Sequence, residues 1–330
     1  MDIDEFVALS VKHNASDLHL CTGHLPMLRI DGELQPLTQG SILSAERMQS
    51  MCNTLLTPQQ RQVLQQSGQL DSALSTTDGR RLRANFFLRN GGVSVALRMI
   101  AERCPSLAVL QVPMSIGALI QREDGLILVT GATGSGKSTT LAAMIDEINQ
   151  HQRRHILTLE DPIEFIHHSQ LSLIQQRELG RDTHSFDEAL RAALREDPDV
   201  ILLGELRDTT TIRLALTAAE TGHLVLATLH TRNAPQAVER LVDVFPAEEK
   251  PYVRAQLANS LQAVIAQKLV RKPAGGRTAV FEVLTTTPAV SSMIREGKTH
   301  QLASVLQTGA QFGMQTFEQG LQHRVAQGIL

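Results

Sequence analysis

The sequence predicts an α/β protein of two domains, and three observations lead there. A chain of 330 residues is long for a single core and sufficient for two. Its first hundred residues alternate short strand-like runs with turn signals, an α+β pattern with one helical insertion. From Gly125 onward, continuous apolar runs alternate with helical segments, as a parallel sheet covered on both faces requires.

In the N-terminal part, "SDLHLCTG", "PMLRIDGEL", "DSALSTTDGRRLRANFFLRNGG" and "VSVALRMI" read as a meander-like sheet. Asp31-Gly32, Asp78-Gly79 and Gly91-Gly92 supply its turns. Between the strands, "LSAERMQSMCNTLLTPQQRQVLQQSG" has helical spacing and ends at Gly68. The stretch "AERCPSLAVLQVP", with Pro105 and Pro113, reads as an interdomain linker over 101–114. The runs "LILVTG", "HILTLED", "VILLGE" and "LVLATLH" are the expected parallel strands. Ser185 and Glu188 form an expected capping box for "FDEALRAAL", and Gly222 closes the helix "TTTIRLALTAAE". Beyond about residue 248 the chain reads as helices, interrupted by "GGRTAVFEVL" as a hairpin or edge strand.

Composition excludes several classes. Aromatic residues make up 3% of the chain and the net charge is -3. Stacking platforms for single strands and basic surfaces for duplexes both need the reverse, so nucleic acid is not an expected partner. Cys21, Cys52 and Cys104 are isolated, which supports neither a zinc ribbon nor a disulfide framework and suits a cytoplasmic protein. The acidic start "MDIDEFVALS" lacks signal-peptide order, and no apolar run is long enough to span a bilayer.

The sharpest chemical signal is "GATGSGKST", which follows an apolar strand and opens onto a helix. Gly131, Thr133, Gly134, Ser135 and Gly136 would let backbone N–H groups converge on phosphates at the helix's positive end. Lys137 would reach the outer phosphates, Ser138 would offer its hydroxyl to Mg²⁺, and Thr139 extends the set. Three polar clusters sit at the ends of other apolar runs: "LEDPIEF" with Glu160 and Glu164, "GELRD" with Glu205, and "TLHT" with His230. Strand ends of a parallel sheet gather on one edge beside the phosphate loop, which would bring these groups together. On the residues alone, Glu205 is equally a polar loop residue, and Asp208 reads better as a helix cap than as a catalytic acid.

These blocks, with "ASDLHLCTGHLPMLRIDGEL", "ALRAALREDPDVILLGELRD", "AAETGHLVLATLHT", "LANSLQAVIAQKLV" and "SSMIREGKTHQL", resemble the PilT-like retraction ATPases of type IV pili. That branch belongs to the type II/IV secretion ATPase superfamily. The resemblance implies a PAS-like α+β domain over 1–100 and a RecA-like P-loop ATPase domain over 115–330, helical from about 248. It implies a homohexameric ring that binds ATP and Mg²⁺ between the domains. Such a ring would work with a pilus platform protein at the inner face of the cytoplasmic membrane. Arginines of the N-terminal domain would complete the site, with Arg81, Arg83, Arg89 and Arg98 at the matching positions. A glycine before the single glutamate is typical of the branch, so Gly204 keeps the backbone small. Glu205 becomes the residue that orients or deprotonates water, Glu164 the next candidate, and His230 a contact near the γ-phosphate. Glu160 is one of the residues expected to bind the nucleotide, and Mg²⁺ would be held by Ser138, phosphates and water-bridged acids. The same superfamily contains assembly and secretion ATPases, commonly with a longer N-terminal extension and a four-cysteine zinc element. An accessory ATP-binding ring subunit would carry the same motifs, and a nucleic-acid translocase could be built on the same core.

Overall fold

The structure, a computed structural model, describes every residue except 1, 31, 101–103 and 274. The chain divides into two compact units, Met1–Glu102 and Arg103–Leu330.

The first unit is a six-stranded antiparallel sheet with one face packed. Strands β1 (Asp17–Cys21), β2 (Met27–Ile30) and β3 (Glu33–Pro36) form one three-stranded ladder. Strands β4 (Gln69–Ser75), β5 (Arg81–Arg89) and β6 (Gly92–Met99) form another. The ladders join along β1 and β6, giving the order β3-β2-β1-β6-β5-β4 in place of one continuous meander. Alternation places Leu18, Leu20, Leu82, Ala84, Phe86, Val95 and Leu97 in the core. Phe6 and Val7 join them from the helix Ile3–Lys12, which opens on an Asp2–Glu5 capping box and is not among the elements expected from the sequence. The helical stretch before Gly68 is two helices, Ala45–Leu55 and Pro58–Ser67. Pro58 keeps Thr57 extended, and Thr57 then caps the second helix. The helix ends at Gly68, as expected, with that residue at φ +76° in the left-handed conformation. Of the Asp31-Gly32 turn, Asp31 lies outside the described residues.

The second unit is a seven-stranded sheet packed on both faces. Its strands are β7 (Gly125–Thr130), β8 (His155–Glu160), β9 (Leu173–Glu178), β10 (Val200–Leu203), β11 (Leu224–Leu229), β12 (Leu261–Arg271) and β13 (Arg277–Thr285). Their order is β13-β12-β7-β11-β10-β8-β9, parallel throughout except for the antiparallel β12–β13 hairpin. Every residue of β7, β10 and β11 is buried, which explains their unbroken apolar runs. The reading of 261–271 as helix is corrected by β12. Val264 and Ile265 are β-branched, and pairing with β7 on one side and β13 on the other fixes the extended form. The stretch read as a linker carries the helix Leu107–Leu110, whose Leu107 is buried with Ile116 and Ile145. At Ser185 only half of the capping box forms: its hydroxyl accepts from the Glu188 N–H. No helix among the described residues is long and apolar enough to cross a membrane.

Candidate active site

The loop between β7 and the helix Lys137–His151 is built around glycines that a side chain could not replace. At Gly131, φ is +151° and an added Cβ would lie 2.5 Å from the Gln267 carbonyl oxygen. At Gly136, φ is +90° and a Cβ would lie 2.8 Å from Gln267 Nε2. The helix begins at Gly136 with no side-chain cap. In the same unit Ser185, Asp208, Asn233, Thr287 and Thr316 each cap a helix. The first-turn N–H groups of the phosphate-loop helix are thus left without a capping side chain, as a phosphate site requires. Ser135 Oγ is also buried without a partner. Thr133 and Gly134 are exposed at the loop tip, and Ser138 and Thr139 lie half-buried in the first helical turn.

Lys137 is 8% exposed and folds back to donate to the carbonyls of Gly131 (2.9 Å) and Ala132 (3.1 Å). Burial presses its ammonium below the ordinary lysine range, while Glu205 and Glu164 pull it upward. Its Nζ also lies 3.4 Å from His230 Nδ1, and His230 Nε2 lies 3.2 Å from Glu205 Oε1. An ammonium only donates, so Nδ1 accepts and the Nε2–H points to Glu205. The other Glu205 oxygen accepts from Arg207 Nε at 2.8 Å, and Arg207 reaches Asp161 at 3.5 Å. Side chains from the ends of three strands therefore form one polar string, Lys137–His230–Glu205–Arg207.

Backbone ties hold these strand ends together. Thr130 Oγ1 accepts from the Thr231 N–H at 2.9 Å, which fixes the residue after His230. Thr228 Oγ1 donates to the Gly204 carbonyl, and the Leu206 N–H donates to the Thr228 carbonyl at 3.0 Å, bracketing Glu205. A Cβ on Gly204 would meet Glu160 Cα at 3.4 Å, an ordinary contact, so glycine is not needed there for space. A carboxylate at 204 would instead face the end of β8, where Glu160 and Asp161 already stand. Asp208 caps the helix Thr209–Glu220 through the Thr211 N–H at 2.8 Å.

The loop after β8 is held from β9. Gln176 donates to Glu160 Oε1 (3.1 Å) and to the Phe165 carbonyl (2.8 Å), while its own oxygen accepts from the His167 N–H (2.9 Å). Buried Glu178 accepts from the Ile163 N–H at 3.0 Å. Glu164 rides exposed on this loop, close enough to act on Lys137 and on Glu160. Burial raises the Glu160 carboxyl, against the hydrogen bonds of Thr158 and Gln176. Gln176, Glu178, Gln267 and Glu282 are not among the site residues expected from the sequence. Glu282 interrupts the otherwise apolar run "AVFEVL" and Gln267 follows the apolar run "AVIA" from Ala263, and a polar residue at such a place signals a buried hydrogen bond.

Arg81, Arg83 and Arg98 belong to the first unit and sit on the sheet face opposite its core. Arg83 and Arg98 are direct cross-strand partners, and Arg98 Nε bonds Asp17 Oδ1 at 2.8 Å. Arg89 is consumed within its own unit, donating to Thr22 O, Ser94 Oγ and Asn90 O. Among the described residues no three His, Cys, Asp or Glu side chains are grouped to hold a metal ion. A cation here would rest on the Ser138 hydroxyl, phosphate oxygens and water, a donor set suited to Mg²⁺.

Comparison with known proteins places this geometry in a family. Residues 1–275 match the family described as type II/IV secretion system protein. The chain is 57% identical over 330 residues to the uncharacterized protein YggR of Escherichia coli K12, each covered in full. It is 47% identical over 334 residues to the type IV pilus retraction ATPase PilT of Pseudomonas aeruginosa, covering all of this chain and 96% of that one. The solved structure of the pilus retraction motor PilT with bound ADP matches at a TM-score of 0.93 and 43% identity, over 100% of this chain and 94% of that one. With a match across both units and a phosphate loop in place, this chain belongs to the type II/IV secretion system protein family.

Proposed function

We propose that this chain is an ATP-hydrolysing motor subunit of the kind that powers type IV pilus retraction. The observation that carries the reading is the polar string beside the phosphate loop, with Lys137 3.4 Å from His230 and His230 3.2 Å from Glu205. Likeness to PilT over the whole chain supports the biological role.

In this reading Lys137 leaves the Gly131 and Ala132 carbonyls and takes up the outer phosphates, joined by loop N–H groups and by Ser135, Ser138 and Thr139. Glu205 then orients water for attack on the γ-phosphorus and accepts its proton. His230, already donating to Glu205, fixes that carboxylate and lies where the γ-phosphate is gained and lost. Arg207 holds the second Glu205 oxygen, which limits the carboxylate to one rotamer. Ser138 is the residue that would hold Mg²⁺, with Glu160 and Glu164 meeting its water; when bound, the ion neutralises charge developing on the transferred phosphoryl group. Arg83 and Arg98 are the N-terminal arginines assigned to the nucleotide, with Arg81 as a third.

The first unit is taken as a PAS-like domain and the second as a RecA-like ATPase domain, acting in a homohexameric ring. The ring would engage a pilus platform protein at the inner face of the cytoplasmic membrane. Two measurements test this. Purified protein should release phosphate from ATP without DNA, and near-normal turnover in Glu205→Ala would sink the catalytic assignment. A strain lacking the gene should show longer or unretracted pili and lose twitching; normal pilus dynamics would leave an ATPase with a different task.

A further inference from the structure

We propose that the β12–β13 hairpin clamps the phosphate loop and the His230 loop in register through two positioning residues, Gln267 and Glu282. The inference rests on the ATPase reading above and adds a division of labour to it.

The two side chains come from neighbouring rungs of one ladder. Gln267 pairs with Phe281, and Glu282 pairs with Ala266. Successive rungs point to opposite faces, so the residues leave the hairpin on opposite sides. Gln267 follows Ala263 and Ile265, which pack against Leu141 and Met144 of the phosphate-loop helix. Glu282 precedes Leu284, which packs with Val238 and Leu241 of the helix Ala234–Asp243 behind His230.

Both polar groups are buried, at 3% and 8% exposure, and both are spent on loop backbone or loop-helix groups. Gln267 Nε2 donates to the Ser135 carbonyl at 2.8 Å, and its Oε1 accepts from Thr140 Oγ1 at 2.7 Å. It thus spans the loop from its last turn to the first turn of the helix, against the face that Gly136 leaves bare. Glu282 Oε1 accepts from the Ala234 N–H at 2.8 Å. The backbone N–H of Phe317, the first residue of the helix Phe317–Ala326, also faces this carboxyl and favours its charged form. One carboxyl therefore faces two helix N-termini, whose aligned dipoles and N–H groups oppose the burial that raises it. Lys268 lies nearby, its ammonium 3.8 Å from the centre of the Phe317 ring.

The His230 loop is thereby fixed at both ends, by Thr130 at Thr231 and by Glu282 at Ala234. Gln267 bonds only groups that shape the phosphate cradle, so its loss should weaken nucleotide binding. Within the site Glu282 reaches only the anchor of the His230 loop, so its loss should slow turnover. A role confined to holding the fold together would move both quantities alike.

Steady-state phosphate release and equilibrium ATP binding on the full-length chain provide the test. Gln267→Met, similar in volume but without either hydrogen bond, should raise KM and the ATP Kd about tenfold and leave kcat within about twofold. Glu282→Met should lower kcat about tenfold with KM within about twofold, and Glu282→Gln, which keeps an acceptor for Ala234, should recover most of that loss. The proposal is overturned if kcat and KM move together in both Met variants, if Glu282→Gln is as slow as Glu282→Met, or if a Met variant fails to fold. Wild-type turnover and its loss in Lys137→Ala serve as controls. If those controls fail, the ATPase reading itself falls; if they hold and the split is absent, only the clamp does.

Discussion

The two sheets of this chain leave different places free for chemistry. In the antiparallel sheet one face packs a core around Leu18, Leu82 and Phe86, and alternation leaves the other face to Asp17, Arg83 and Arg98. In the parallel sheet both faces are packed, and every residue of β7, β10 and β11 is buried. Polar groups can then gather only beyond the strand ends, on loops. Loops need anchoring that a strand face does not. Here it comes from buried polar side chains on the outer strands: Gln176 and Glu178 on one side, Gln267 and Glu282 on the other.

The contrast breaks first at Lys137. Its ammonium is the cation of the loop edge, so Lys137→Ala should cut ATP turnover by about a thousandfold or more while the fold survives, since the side chain bonds only loop carbonyls and His230. Phosphate release and a melting curve on one sample check both halves. Glu205→Gln comes next, with turnover down about a hundredfold and ATP still bound, because the amide keeps contact with His230 but accepts no proton. A variant that fails to bind ATP would show Glu205 to be part of the cradle instead.

Arginines of the antiparallel sheet sharpen the contrast at a smaller scale. Arg83 is exposed on the free face, and Arg83→Ala should lower turnover about tenfold with an unchanged melting temperature if that face serves the nucleotide. Arg89 is spent on Thr22, Ser94 and Asn90, so Arg89→Ala should cost about 1–2 kcal/mol of stability and leave KM for ATP alone. Equal effects of the two on turnover would erase the distinction between a free face and an internal brace.

What is legible in the sequence follows the same division. The phosphate loop, the four central strands and the acids at their ends can be read because both signals are local: a fixed glycine spacing and continuous apolar runs. The Asp208 cap and the Gly68 and Gly222 helix ends are local too. The strand β12 reads as helix in the sequence because its extended form depends on β7, a neighbour far away along the chain. The partners of Gln176, Glu178, Gln267 and Glu282 stay hidden for a related reason. A buried hydrogen bond is defined by its partner, and Ser135, Ile163 and Ala234 are remote or carry no distinguishing signal in the sequence.

The smallest effect tests the loop edge by its pH dependence. Burial raises the Glu160 carboxyl above its unfolded range, so the folded chain holds that proton more tightly than the unfolded one. The stability contributed by the group is then fully present below the unfolded carboxyl pKa, about 4.3, and is lost as pH rises through the folded value. Glu160→Gln removes the charge and keeps an oxygen for the Thr158 hydroxyl, which lies 2.7 Å from Glu160 Oε1. At pH 8 the variant should melt higher, by on the order of 2 °C, whereas near pH 4.5 the two proteins should approach one another because the native side chain is itself becoming protonated. Melting curves at the two pH values decide it. An equal gain at both would mean that the amide acts through packing, and a loss at pH 8 would mean that the loop holds the ionised carboxylate more firmly than burial opposes it.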